Sequence, residues 1–139
     1  MLPMPKKASQ IGEKKKREKY YLGIIRGKGA YKVYFINNSD NHIKSLTMKS
    51  PGMATFEDKP VTTSTKEKII EDIEPRSYAY IESLGGYYQA DFVTYYYFTL
   101  TTENEEKELR CSIGKRIGFM GTRIPILNKM GRIIYFRRS

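Results

Sequence analysis

Between residues 20 and 36 the chain carries two short apolar-rich runs, 20–26 and 30–36. In the second, Tyr31, Val33 and Phe35 share one side while Lys32, Tyr34 and Ile36 share the other. A period of two marks a strand, because successive side chains leave opposite faces of the pleat. Gly27-Lys28-Gly29 separates the runs and predicts a tight hairpin turn, with glycine free to take positive φ. The polar stretch Asn37-Asn38-Ser39-Asp40-Asn41 then predicts a strand end, since each side chain can bond to nearby backbone and compete with the ladder. Alternation resumes over 42–50 and is expected to stop at Pro51-Gly52, with a loop and a modest edge strand over 52–67, where Pro60 and many hydroxyl residues lie. Ile69, Ile70 and Ile73 fit one helical turn, but the segment is short and Pro75 closes it, so extended or irregular structure is the preferred expectation. Residues 77–84 predict another strand, ended by Gly85-Gly86.

The strongest pattern lies further on. Phe92, Thr94, Tyr96, Phe98 and Leu100 fall on one face, and Val93, Tyr95, Tyr97 and Thr99 on the other, all residues that suit a pleated surface. A turn around Glu103-Asn104-Glu105-Glu106 returns Leu109, Cys111 and Ile113 alongside, which predicts a long hairpin. The tail predicts one more, with residues 128–131 as its turn and Pro125 near a strand end or on an edge. Seven to nine short strands with hardly any helix predict an all-β fold, either a small antiparallel β-sandwich or a partly open barrel. The sequence of a short strand, an NNS-type turn, the IEPRSYAYI step and a long hairpin resembles an immunoglobulin-like sandwich in architecture. The Cys pair and core Trp that mark that family are absent, so the resemblance carries no family membership.

Length changes the picture little: 139 residues fit one β domain over 20–139, preceded by a flexible basic arm over 1–19. Charge changes it more. Residues 1–30 hold nine Lys and Arg against two acids, a net +7; residues 110–139 hold eight against none, +8; residues 31–109 hold eight against thirteen, −5. Clustered cations attract polyanions and release counterions on meeting a phosphate backbone, so basic ends argue for an anionic partner, nucleic acid or a nucleoprotein. A solvated arm that only aids solubility is the competing reading of residues 6–19. The early residues lack the continuous apolar stretch of a secretory signal and no run is long enough for a membrane span, so a cytoplasmic location is expected.

Catalytic and metal chemistry find little support. His42 is the one histidine and Cys111 the one cysteine, too few for a metal set or for a Cys–His pair placed by sequence, and Cys111 alternates with apolar neighbours that suggest burial. GKGA lacks the Ser or Thr of a phosphate loop, and the Glu103–Glu108 group lacks the spacing of a calcium loop. Asn37-Asn38-Ser39 matches a glycosylation triplet that has no meaning without export. We therefore expect a non-enzymatic module with no cofactor. Its candidate polyanion-binding residues are Lys14, Lys15, Lys16, Arg17, Arg116, Arg123, Arg132, Arg137 and Arg138, and the rings on which bases could stack are Tyr87, Tyr88, Tyr95, Tyr96 and Tyr97, with Tyr95 and Tyr97 the chosen candidates. The alternative is an interaction sandwich that docks a protein through a sheet edge or a tyrosine face.

Overall fold

The computed structural model describes residues 18–56, 59–85, 92–114 and 120–137, with backbone alone at 52–56, 59–64 and 92. The basic arm expected over residues 1–19 lies outside the described residues up to Arg17, and so do Tyr87, Tyr88, Arg116 and Arg138. Among the described residues nine strands follow one another: β1 (Tyr20–Arg26), β2 (Ala30–Asn37), β3 (Ile43–Phe56), β4 (Lys59–Ile73), β5 (Ser77–Gly85), β6 (Phe92–Thr101), β7 (Glu106–Ile113), β8 (Thr122–Ile124) and β9 (Lys129–Tyr135). They form two sheets in the orders β5-β2-β1-β9-β8 and β4-β3-β6-β7, with every pair antiparallel. No helix occurs among the described residues, so none is long and apolar enough to cross a membrane.

The fold is a sandwich because each sheet has one strongly apolar face. Leu22 and Ile24 of β1, Val33 and Phe35 of β2, Leu46 and Met48 of β3, and Tyr96, Phe98 and Leu100 of β6 meet in one buried cluster between the sheets. Phe35 and Phe98 touch across the layers with ring centroids 5.3 Å apart, and Phe136, just past β9, packs on both. A second, smaller cluster covers the outer face of the five-stranded sheet, where Ile124 and Leu127 fold back over Tyr21, Ile25 and Ile36. The ladders do not close into a barrel; between β7 and the other sheet there is one bridge, from the Arg137 N–H to the Arg110 carbonyl, 2.9 Å.

Several expectations are met closely. The Gly27-Lys28-Gly29 turn joins β1 and β2, with Gly29 at φ 74° and the Gly27 N–H bonded to the Ala30 carbonyl at 2.7 Å. The expected 92–113 hairpin forms, closed by the Thr102 N–H to the Glu105 carbonyl at 2.9 Å. Asn37 ends β2 as a fully buried residue: its amide donates to the carbonyls of Asn41 (2.9 Å) and Glu74 (3.0 Å) and accepts from the Ser39 N–H and hydroxyl. The polar interruption is therefore a structural corner whose Asn37 has no side-chain surface left for glycosylation.

Two expectations are corrected, and a third is met. β3 does not stop at Pro51-Gly52 but runs to Phe56 and pairs with β4 from Lys59, so the expected loop is a long hairpin. Proline lacks the ladder donor, and the chain absorbs it in a register shift between Pro51 and Met53 while the buried Ser50 hydroxyl donates to the Tyr95 carbonyl, 2.7 Å. The isoleucines of 69–73 lie on extended β4, with Ile73 buried and Ile69 exposed, so the preferred extended reading is met and the helical turn does not form. The tail hairpin turns over residues 125–128, not 128–131: Ile124 pairs with Lys129, and Asn128 takes φ 60° with its N–H on the Ile124 carbonyl. Gly131 sits inside β9 instead, because a Cβ there would strike the Ile24 carbonyl.

The sheets are also tied along the β4–β5 side. Ile81 is an extra residue in β5, since Val33 pairs with Glu82 and Tyr34 with Tyr80. This bulge turns Glu82 to the core-facing side, where it accepts from the Tyr96 hydroxyl at 2.5 Å and pairs with Lys66 at 2.9 Å. Lys68 donates to the Tyr80 and Ile81 carbonyls, both at 3.1 Å.

Candidate polyanion cleft

The outer face of the four-stranded sheet is set by the alternation of β6 and β7. With Tyr96, Phe98, Leu109 and Cys111 committed to the core, Tyr95, Tyr97, Arg110 and Ser112 must point outward. The hairpin register places Tyr97 opposite Arg110 and Tyr95 opposite Ser112. Cross-strand partners on one face lie about 4.5–5.5 Å apart at Cβ, so each ring stands beside a polar side chain. The bridge from Arg137 to Arg110 then brings a second guanidinium to the same place. Together Tyr95, Tyr97, Arg110, Ser112 and Arg137, with Cys111 behind them, line a cleft of about 140 Å³.

Among the described residues no carboxylate pairs with the arginines of this cleft. The ion pairs among the described residues are His42–Asp72, Lys66–Glu82 and Arg76–Asp40, and none involves Arg110 or Arg137. Tyr97 is 47% exposed, enough to offer a ring face to a ligand. Across β3 the row continues, since Lys49 is exposed and pairs with Tyr97. Burial pushes the Cys111 thiol up to about 12, with Arg137 pulling weakly the other way, so the sulfur is a protonated, inert part of the floor.

Only some of the sequence-derived candidates meet here. Tyr95, Tyr97 and Arg137 come together, whereas the Tyr96 ring is fully buried in the core and cannot stack on a ligand. Arg123 lies on β8 and donates to the Asn128 side chain. Arg132 pairs with Ile24 on the core-facing side of β9, half-buried. Lys14, Lys15, Lys16, Arg17, Arg116 and Arg138 lie outside the described residues. The C-terminal arginines thus do not share one face: β9 alternation sends Arg132 inward, and the short β8 hairpin carries Arg123 away. Sequence reasoning missed Arg110, Ser112 and Lys49 as site residues. The first two follow from the hairpin register once its turn is fixed, whereas Lys49 depends on the pairing of β3 with β6.

Other candidates have structural roles. His42 contacts Asp72 at 3.3 Å, and among the described residues no group of three or more His, Cys, Asp or Glu side chains can hold a metal ion. A second aromatic group lies on the outer face of the five-stranded sheet: Tyr34 stands edge-on to Tyr78 and Tyr80, at 5.5 and 5.6 Å, and Tyr78 and Tyr80 are 50% and 43% exposed. The chain matches no protein-family model, and neither curated proteins nor solved structures give a match.

Proposed function

We propose that the protein is a non-enzymatic binding module that takes an anionic partner on the outer face of the four-stranded sheet. The observation that carries this reading is the meeting of Arg110 and Arg137, without a carboxylate partner among the described residues, beside the Tyr95 and Tyr97 rings. A guanidinium offers a planar fork of donors suited to phosphate or sulfate, and two in one cleft make a local cationic site within an already basic chain. The free Cys111 thiol suits a reducing, cytoplasmic setting. Binding of heparin and of a generic oligonucleotide across a salt series tests the reading. Affinity should fall with rising salt, and the double variant Arg110→Ala/Arg137→Ala should weaken both ligands and flatten the slope by up to about two counterions. No binding at low salt, or full binding by the double variant, removes it.

A second reading rests on the Tyr34–Tyr78–Tyr80 group, whose exposed rings suit a protein partner, since tyrosine is enriched at such interfaces. Tyr78→Ser/Tyr80→Ser should then abolish association with a protein partner while leaving polyanion binding intact, as read by affinity capture followed by anisotropy.

A further inference from the structure

The outer face of the four-stranded sheet is polar in a second sense: its charge changes sign along the strands. Three cross-strand rows can be read from the register. Nearest the 102–105 turn runs Glu71–Ser45–Thr101–Glu106; next comes Ile69–Thr47–Thr99–Glu108; then comes Glu67–Lys49–Tyr97–Arg110, which Arg137 extends beyond β7. Acids therefore occupy both flanks of the first row and the β7 end of the second. In the third, cations flank Tyr97, and Glu67 stands opposite Lys49 at the β4 end. A polyanion running along the strands would meet Glu108 and Glu106 within two rows of Arg110. One running across them meets Lys49, Tyr97, Arg110 and Arg137 in succession, a path of roughly 14 Å at the usual strand spacing.

This path sets a single aromatic ring between cations, which a sulfated sugar or a duplex does not need. A duplex keeps its bases stacked inside and shows phosphates outward, so a half-exposed ring between two cations would face nothing it can stack on. A single strand can splay its bases. Tyr97 and Tyr95, two residues apart on the same face, stand roughly 7 Å from each other along β6. That separation suits one unstacked base per ring better than two bases still stacked on each other. Tyr97 is open, whereas Tyr95 is half-buried.

We infer that the partner is single-stranded nucleic acid, laid across β3, β6 and β7 with its backbone on Lys49, Arg110 and Arg137 and one base stacked on Tyr97. This deepens the polyanion reading and rests on it. The test is anisotropy at fixed low salt with a labelled single-stranded oligomer, as DNA and as RNA, a duplex of the same sequence, and heparin, each against the wild-type chain, Tyr97→Ala and Tyr97→Phe. Thermal melts confirm that the variants fold. The wild-type chain should prefer at least one single-stranded oligomer over the duplex by about ten-fold or more, and Tyr97→Ala should lose about ten-fold on that oligomer while Tyr97→Phe, which keeps a stacking ring, loses less than about two-fold. Heparin affinity should change less than about two-fold in either variant. Equal losses on heparin and single strands, or a duplex bound as tightly, would overturn the base-stacking inference and leave the polyanion module standing. Failure of every ligand, heparin included, removes both.

Discussion

Gly131 has no room for a side chain, because a Cβ would collide with the Ile24 carbonyl and press on Ile124. Gly131→Ala should therefore lower stability by about 1–3 kcal/mol or more, read as a lower denaturant midpoint, whereas Gly85→Ala, which meets nothing within 4 Å, should change it little. A glycine placed in a turn and one placed against the backbone of a neighbouring strand look alike in a sequence, so the tail hairpin is misread by three residues while the Gly27-Lys28-Gly29 turn is read correctly. Cys111 carries a prediction about pH. Burial raises its pKa from 9.0 to about 12, and burial also raises Tyr21 and Tyr135 above 10.0. Each folded-state pKa lies above its unfolded value, so the stability these groups contribute is fully present below about pH 9 and is lost as pH climbs through the folded values. Melting temperature should fall over that alkaline range, and the native thiol should resist a disulfide reagent at pH 8 until the chain is unfolded.

At the scale of strands, the Ile81 bulge decides how the β4–β5 side is closed. Simple alternation would send Glu82 outward with Tyr78 and Tyr80; the extra residue sends it inward to Tyr96 and Lys66. Tyr96→Phe removes a bond to a charged acceptor and should cost about 1.5–3 kcal/mol in chemical denaturation. Lys66→Ala should cost at most about 1 kcal/mol, because its ammonium is largely exposed and water screens the pair. The difference between elements also explains what the sequence makes legible. Hairpins β1–β2 and β6–β7 are local, so period and turn chemistry fix them together. The partners β1–β9, β2–β5 and β3–β6 are distant in the chain, and a period of two fixes which face is buried without saying which strand lies alongside. Tyr95 and Tyr97 are accordingly readable as outward rings from the sequence, while Lys49 and the arrival of Arg137 beside Arg110 are not.

For the molecule as a whole, +10 of net charge is less informative than its placement. Arg123 and Arg132 are carried to other parts of the five-stranded sheet, and the proposed site draws on the few cations that share a face with aromatic rings and make no carboxylate bond among the described residues. A polyanion held by that face should raise the melting temperature, by about 2.7 kcal/mol of added stability at a hundred times its dissociation constant, and Arg137→Ala should shrink the rise. The two guanidiniums come from different layers, Arg110 from the four-stranded sheet and Arg137 from the chain leaving the five-stranded one. An occupant gripping both rivets one layer to the other. Slippage of the layers and release of the guest are then a single equilibrium, seen from two sides.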